Sequence, residues 1–396
     1  MKITGVICEY NPFHNGHEWM LRQLRKNGST HIIACMSGNF TQRGEPAIFD
    51  KSVRTRAALY GGADLVIELP VTFACAWAER FAYGGVSLLD SLGCTDEIAF
   101  GSECGKADLL FELASMLGES KFNSKLQEFH SCGISYAAAR QKAADEIFGK
   151  KYSSLLSEPN NILGIEYCKA LIRIGSNIKP VSVIRTGVSH NSRITDGNIA
   201  SAHHIRSLID SGKNYLEFVP LYAADIFSKA DNKPPHNGRM AHLEQSILYR
   251  LRMMSTSELS CLPDISEGLE NRIFSAVRTN TKLSDIISSV TSKRYPRSRI
   301  ARIIMNAFLG ITKNDLLTSP PYIRILGMNN RGREILRLSA KKSSVPIVMR
   351  YADIRHQPDE VKKQFSIESR CDDIYTLSGE KIGKCGNNMI YSPVIL

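Results

Sequence analysis

The sequence ITGVIC at residues 3–8, followed directly by EYNPFHNGH at residues 9–17, decides the fold. This largely apolar run of six residues predicts a strand and a helix is predicted from about His17, so the H-x-G-H element lies in the connection between them. A second apolar run at residues 31–36 predicts the returning strand of a strand–helix–strand unit. Two imidazoles flanking a glycine can both reach a phosphate, and the helix N-terminus adds free N–H groups. We therefore predict a nucleotide-binding site rather than a surface loop that carries two histidines.

The size of the chain allows two or three domains, because its 396 residues are 43% hydrophobic and can bury a large core. No apolar stretch approaches the roughly 20 residues that cross a bilayer, and the first strand begins without a charged leader. We expect a cytoplasmic protein with no membrane contact. The ten cysteines stand singly and no His/Cys spacing fits zinc, so we expect reduced thiols and no dedicated metal site.

Short β-branched runs alternate with helical stretches through the first half of the chain. Strands are predicted at residues 3–8, 31–36, 64–69, 97–100 and 181–184, and helices at residues 18–27, 52–60, 76–92, 242–253, 269–277, 282–291 and 298–309. The alternation predicts an α/β fold with a Rossmann-like parallel sheet and a helical insertion at about residues 106–175. We assign residues 1–215 to this domain, which carries the predicted nucleotide-binding site, and residues 216–396 to a mainly helical, basic second domain.

The formal net charge of +11 is concentrated in residues 291–350, where thirteen Lys or Arg face only Asp315 and Glu334. Segregated positive charge suits a phosphate backbone, because each neutralised phosphate releases counterions. The candidates for RNA contact are Lys293, Arg294, Arg297, Arg299 and Arg302. The interleaved Tyr295, Tyr322 and Met328 could stack on unpaired bases. An ordinary solvated face is the alternative.

A second candidate phosphate site lies at IASAHHIR, residues 199–206, where a helix is predicted to begin. Ser201 near the helix N-terminus could offer its hydroxyl and backbone N–H, and Arg206 could supply a bidentate cation. With His14 and His17 opposite, a triphosphate would be held from two sides. The alternative is a capped helix with a surface arginine.

These two elements resemble the signatures of the HxGH nucleotidyltransferase superfamily. More narrowly, the opening GVICEYNPFHNGH is similar to that of the bacterial tRNA(Met) cytidine acetate ligase family. The similarity extends to MSGNFTQRGEPA at 36–47, GADLVIELP at 62–70, FGSE at 100–103 and PNNILGIEY at 159–167. The family's Tyr-His-Asp near residue 190 is here Ser189-His190-Asn191, so of these three we keep only His190 as a contact.

The resemblance implies an enzyme that uses ATP to convert acetate into acetyl-adenylate and pyrophosphate. The acetyl group would then pass to the N4 amine of the wobble cytidine in elongator tRNA(Met). It implies His14, His17 and Arg206 as catalytic residues. The implied ATP-binding residues are Ile7, Cys8, Glu9, Tyr10, Asn11, Pro12, Phe13, His14, Asn15, Gly16, His17, Glu18, Trp19, Met20, Gly101, Asn161, Arg185 and Ser201.

The loop at residues 37–44 follows the second strand at its carboxyl end, where ligands of open parallel sheets bind. Amide and guanidinium groups suit a small carboxylate or a cytosine edge. The substrate candidates are Ser37, Asn39, Gln42 and Arg43. Mg²⁺ could accompany the ATP, although no carboxylate pair stands out, and no stable protein partner is predicted.

Two other functions fit part of the sequence. A small-molecule adenylyltransferase of cofactor biosynthesis would use the same two phosphate-binding elements, but the basic segment would have no role in it. A catalytically inactive RNA-binding protein with a nucleotide fold is disfavoured by the intact His14, Gly16, His17 and Arg206.

Overall fold

A mostly parallel sheet lies at the centre of the computed structural model, which describes residues 1–132, 134–184, 197–230 and 238–396. Its strands are β1 Ile3–Cys8, β2 His31–Ser37, β3 Leu65–Leu69, β4 Glu97–Ser102, β5 Lys179–Ile184, β6 Ile323–Met328, β7 Ile347–Val348 and β8 Val394–Ile395. They are ordered β5-β4-β1-β2-β3-β6-β7, and β8 pairs with β6. The β3–β6 pair is antiparallel, and the other named pairs are parallel.

The five strands predicted in the first half are confirmed, because their sequences suit a sheet that is covered on both faces. Along β1, Ile3 and Ile7 pack into one apolar core while Val6 packs into the other. Side chains of a strand alternate between its two faces, so both faces must be apolar when helices cover both.

Helices connect these strands and surround the sheet. In the first half they are α1 Asn15–Lys26, α2 Lys51–Tyr60, α3 Val71–Ala74, α4 Ala78–Ser91, α5 Ala107–Met116, α6 Ser120–Ser131, α7 Tyr136–Phe148, α8 Lys150–Ser153 and α9 Pro159–Ile174. Helices α5 to α9 lie between β4 and β5 and confirm the predicted helical insertion.

The strand order reverses direction at β1. The chain places β2 and β3 on one side of β1 and then crosses over to place β4 and β5 on the other side. At such a switch point the connections leave the sheet in opposite directions, so a crevice opens beyond the carboxyl ends of the two adjacent strands. The topology therefore positions a ligand site beyond β1 and β4.

The second half of the chain is mostly helical, as predicted. Its helices are α10 Ala202–Asp210, α11 Leu221–Ala230, α12 Met240–Met253, α13 Thr256–Ser260, α14 Leu269–Thr279, α15 Leu283–Val290, α16 Arg297–Leu309, α17 Asn330–Lys342, α18 Asp359–Tyr375 and α19 Asn387–Ile390. Helices α12 to α16 enclose an apolar core of their own, which includes Leu243, Ile273 and Ile300.

Strand β6 was not anticipated from the sequence, because we read its segment as part of a basic surface. It is fully buried and pairs with β3, and β7 and β8 extend the sheet from it. Arg324 within β6 is only 2% exposed, and its guanidinium lies over the rings of Phe365 and Tyr391. The domain boundary between residues 215 and 216 stays a prediction. Three strands of the central sheet, β6, β7 and β8, come from the part of the chain after this boundary.

Candidate active site

A pocket of about 250 Å³ opens at the switch point between the carboxyl ends of β1 and β4. Helices α1, α9 and α10 contribute the other walls. The lining residues are Val6, Ile7, Cys8, Glu9, Tyr10, Asn11, His14, Gly16, His17, Trp19, Met20, Gln42, Arg43, Phe81, Phe100, Gly101, Asn160, Leu163, Tyr167, Val183, Ile184, Ile199, Ala200, Ala202 and Arg206. The pocket thus brings the H-x-G-H element and Arg206 together, although almost 190 residues separate them in sequence.

The two histidines hold each other in place at the start of α1. His14 is the N-cap, and its Nδ1 accepts from the backbone N–H of Gly16 at 3.1 Å. In return, Nδ1 of His17 accepts from the backbone N–H of His14 at 3.3 Å, and the two rings stack with centroids 3.6 Å apart. Because Nδ1 accepts in both, the proton of each neutral ring lies on Nε2, which can donate to an oxyanion.

Gly16 is required by this arrangement. A Cβ at this position would lie 3.0 Å from Cε1 and 3.1 Å from Nδ1 of the His14 ring, closer than side chains normally approach. A larger residue would therefore displace the imidazole that caps the helix. The glycine between the histidines serves the cap as well as the close approach of a ligand.

Helix α10 is tied to the H-x-G-H loop by hydrogen bonds. The Arg206 guanidinium donates to the Asn11 carbonyl oxygen at 2.7 Å, and the Asn15 amide donates to the carbonyl oxygens of Asn198 and Glu217. Burial lowers the pKa of Arg206 from its usual value, because a cation loses solvation there. An anion in the pocket would offset that cost. Ser201 caps α10 by accepting from the His204 N–H and does not line the pocket.

The buried guanidinium of Arg54 sets the spacing between two loops of the site. The side chain is 0% exposed and donates to the carbonyl oxygens of Glu9, Ser37, Gly38 and Phe49. Burial lowers its pKa. Since Glu9 follows β1 and Ser37 ends β2, this one cation joins the nucleotide loop to the loop at residues 37–44. Sequence reasoning missed Arg54, because its partners are backbone atoms that no residue pattern identifies.

The four substrate candidates of the second loop separate into two groups. Gln42 and Arg43 line the pocket, and the Gln42 N–H donates to Oε1 of Glu9 at 2.8 Å. Ser37 and Asn39 are buried outside it. The amide of Asn39 donates to Oδ1 of Asp372 at 2.9 Å, so this side chain contacts α18 instead of the pocket, contrary to our expectation.

The loop is also pressed against the helical second half of the chain. Gly44 has φ +75°, and a Cβ there would lie 2.5 Å from the backbone of Ala301 in α16. Arg302 donates to the Gln42 carbonyl oxygen at 3.5 Å and pairs with Asp264 at 3.0 Å. Contacts from α16 therefore reach a residue of the pocket wall.

Most of the predicted ATP-binding residues line the pocket, and several of the others have structural partners. Phe13 is fully buried in the core, Glu18 pairs with Arg22 and Tyr222, and Oδ1 of Asn161 accepts the N–H groups of Glu103 and Cys104. Pro12, Asn15 and Ser201 also do not line the pocket. Arg185 and His190 lie outside the described residues.

The pocket residues that the motifs missed come mainly from α9 and from the ends of β4 and β5. Asn160, Leu163 and Tyr167 recur at intervals of three and four, which places them on one face of α9. Asn160, rather than its predicted neighbour Asn161, lines the pocket. The helical spacing was a signal that could have identified this face.

The basic segment, residues 291–350, does not form one continuous surface. Lys293, Arg294 and Arg297 are exposed, whereas Arg299 and Arg302 are half-buried and pair with Asp264 at 3.3 and 3.0 Å. The expected stacking residues Tyr295, Tyr322 and Met328 are buried, so the structure contradicts that expectation. They supply apolar packing for α14 to α16, α18 and the sheet.

A separate basic face lies on α17. Its exposed residues are Arg331, Arg333, Arg337, Lys341 and Lys342. The helix runs along the amino ends of the strands, where Glu334 contacts His31 at 3.0 Å and Asn329 hydrogen-bonds to Asp64. This face is therefore at the edge of the sheet opposite the pocket.

Two features are absent from the described parts of the chain. No group of three or more His, Cys, Asp or Glu side chains there is arranged to hold a metal ion. No helix there is long and apolar enough to span a membrane.

Comparisons with known proteins agree with this geometry. A family model described as HIGH Nucleotidyl Transferase matches residues 1–388. The tRNA(Met) cytidine acetate ligase of Acetivibrio thermocellus is 39% identical over 95% of both chains, and that of a Thermoanaerobacter species is 39% identical over 99% of both. Crystal structures of Thermotoga maritima TmcAL, covering 100% of both chains, match with TM-scores of 0.95 (apo, 30% identity) and 0.93 (bound with alpha-thio ATP, 31% identity).

Proposed function

The chain belongs to the HIGH nucleotidyltransferase family and, within it, to the tRNA(Met) cytidine acetate ligases, and from this premise we propose how its pocket carries out the reaction. The protein is an ATP-dependent ligase. In the proposed first step an acetate oxygen attacks the α-phosphorus of ATP, an O–P bond forms, and pyrophosphate leaves. In the second step the N4 amine of the wobble cytidine in elongator tRNA(Met) attacks the acetyl carbon, loses a proton and displaces AMP.

The observation that carries this proposal is the reciprocal cap of His14 and His17 inside the pocket. Two Nε2–H groups, the N-terminus of α1 and the Arg206 guanidinium can all stabilise the negative charge that develops on the leaving pyrophosphate. Their positions are fixed by backbone hydrogen bonds before any ligand arrives. Such preorganised donors need little rearrangement in the transition state, which makes them effective catalysts.

The pocket has a second set of polar groups, which could bind the cytidine that receives the acetyl group. Gln42 and Arg43 line it on the side of β2, and Arg54 fixes the spacing of their loop from β1. An amide and a guanidinium suit the donor and acceptor pattern of a cytosine edge. The exposed Lys293, Arg294 and Arg297 would contact phosphates of the same RNA, and we place the enzyme in the cytoplasm because tRNA and ATP are found there.

Mg²⁺ commonly accompanies ATP. Within the described residues no cluster of carboxylates or histidines is built to hold it, so the proposed steps use protein groups alone. An ion would arrive with the triphosphate.

The experiment that tests this function has two stages. Acetate should stimulate exchange of labelled pyrophosphate into ATP, and enzyme with ATP and acetate should then add the mass of one acetyl group to a tRNA(Met) transcript. Exchange without acetate, together with transfer of AMP to a phosphomonoester, would instead favour a small-molecule adenylyltransferase. Absence of any acetate-dependent exchange would refute the proposal.

A further inference from the structure

One part of the pocket lining is an apolar wall, in contrast to the polar loops that line other parts. It is formed by Ile7, Phe81, Phe100, Leu163 and Tyr167. Phe81, Phe100 and Tyr167 are 3%, 5% and 2% exposed. A recess with such walls excludes water and favours a small apolar group, such as a methyl.

The phenolic oxygen of Tyr167 is a polar atom in this otherwise apolar wall. Its side chain lines the pocket, and its hydroxyl has no hydrogen-bond partner among the described residues. A phenolic hydroxyl that has no partner within the protein and lies at a pocket wall can donate to a ligand in that pocket. Burial raises the pKa of Tyr167 well above its usual value, so the phenol keeps its proton and can donate.

The Tyr167 hydroxyl lies close to the chemistry. Tyr167 lines the same pocket as Cys8 and Glu9, where β1 ends, so its side chain shares a wall with the start of the nucleotide loop. Gly164, one turn earlier on α9, allows this approach, because a Cβ there would lie 2.5 Å from the Phe100 ring. Tyr167 and Phe100 consequently pack with ring centroids 5.6 Å apart.

We propose that the Tyr167 hydroxyl holds acetate in this recess by donating a hydrogen bond to the carboxylate oxygen that becomes the acetyl carbonyl oxygen. The aromatic walls then surround the methyl group, and the other carboxylate oxygen faces the α-phosphate. This inference rests on the proposed function, which it deepens by assigning the site of the acid.

The same hydrogen bond serves both steps. In the first, the free carboxylate oxygen forms the O–P bond as pyrophosphate leaves, and Tyr167 keeps the second oxygen out of line. In the second, the amine nitrogen forms a bond to the acetyl carbon, the carbonyl oxygen becomes an oxyanion, and the C–O bond to AMP breaks as the carbonyl reforms. A donor on that oxygen stabilises the oxyanion.

The test is the variant Tyr167→Phe, which removes only the hydroxyl. Acetate-dependent exchange of pyrophosphate into ATP should show a KM for acetate that rises about 10- to 100-fold, as expected for a hydrogen bond to a charged group. The KM for ATP should stay close to that of the wild type. Tyr322→Phe is the matched control, because Tyr322 is a buried tyrosine outside the pocket.

A second variant tests the walls independently of the hydroxyl. Phe100→Ala should enlarge the recess and raise the rate with propionate relative to acetate.

A crystal grown with acetate and a non-reactive ATP analogue should show a carboxylate oxygen within hydrogen-bond distance of Oη of Tyr167, and this measurement requires no variant to fold.

The outcomes separate this inference from the proposed function. If the wild type shows no acetate-dependent exchange, the proposed function itself fails. If the wild type is active and Tyr167→Phe keeps its KM for acetate, the inference is overturned while the function stands. Acetate bound elsewhere in the crystal would overturn it as well.

Discussion

Two groups of polar residues lie at the carboxyl edge of the same sheet: one lines the pocket, and the other is joined by ion pairs. At β1 and β4 the polar groups are fixed by backbone atoms, and space for a ligand remains between them. Near β2 and β3 lies a second group, the buried ion cluster of Lys51, Glu68, Glu368 and Asp372. There the Lys51 ammonium contacts Glu68 at 2.7 Å and Asp372 at 2.6 Å.

The difference between the two groups comes from α18. This helix covers the ends of β2 and β3 and supplies Glu368 and Asp372, so the side chains satisfy one another there. At β1 and β4, helix α10 forms one wall of the pocket without filling it, so space for a ligand remains. The carboxyl edge of a parallel sheet therefore provides a site only where the rest of the chain leaves it open.

The largest effect should come from breaking the ion cluster. Lys51→Met leaves Glu68 and Asp372 buried without their cation, which should lower the free energy of unfolding by about 3–5 kcal/mol. Urea denaturation followed by circular dichroism measures this loss. Lys341→Met on the exposed face of α17 should change it by less than about 0.5 kcal/mol. If both variants lost the same free energy of unfolding, the buried cluster would contribute no more to stability than an exposed lysine, and the prediction would be wrong.

A change in the pocket should reduce activity strongly and the free energy of unfolding only slightly. His17→Ala removes one phosphate donor and half of the reciprocal cap, so acetate-dependent exchange should fall about 100- to 1000-fold. The free energy of unfolding should fall by only about 1 kcal/mol, as for other cap residues. Affinity for tRNA should stay near normal. His356→Ala, at an exposed position outside the pocket, is the control, and a similar loss of exchange there would contradict the assignment.

The cluster should also make stability depend on pH. Burial raises the pKa of Glu368 from 4.5 to about 8 and that of Asp372 from 3.8 to about 6. The folded chain therefore binds more protons than the unfolded chain between about pH 4 and pH 8. Its free energy of unfolding should fall as pH rises through this range.

The matched variant for this pH dependence is Glu368→Gln, which cannot ionise. Urea midpoints measured across the same pH range should decline less steeply in this variant than in the wild type. An identical decline in both would show that Glu368 does not titrate as the burial of its carboxyl predicts.

The smallest expected effect concerns RNA. Arg297→Glu reverses an exposed charge at the start of α16, the helix that contacts the loop at residues 37–44, and should weaken tRNA binding about three- to tenfold at moderate salt. The slope of log affinity against log salt should fall by about one unit. Arg333→Glu on α17, at the opposite edge, should leave both quantities unchanged. If it weakens binding equally, the RNA contacts both edges.

The sequence predicted those parts of the fold that depend on local patterns. Strand β1 was predicted from its apolar run and the start of α1 from the histidines, and most of the helices from α12 to α16 were predicted from helical periodicity. Strand β6 was not predicted, because its pairing with β3 joins residues about 260 positions apart and Arg324, its second residue, was interpreted as a surface charge.

The same limit explains the errors at the site. Asn39 was expected in the pocket because it follows a strand at the correct edge, but its partner Asp372 lies 333 residues later in the chain. Asn160, Leu163 and Tyr167 share one helix face, so their position could have been inferred from spacing once α9 was known to approach β4. The role of Arg54 could not have been inferred, because its partners are backbone carbonyl oxygens, which every residue has and no sequence pattern identifies.

Gly44 has a practical consequence for redesign. An engineer who wanted the enzyme to accept another nucleobase would vary Gln42 and Arg43, because both line the pocket. Their neighbour must be left alone, since any side chain at Gly44 would collide with the backbone of α16. A library built on this loop should therefore randomise two adjacent codons and keep the third fixed.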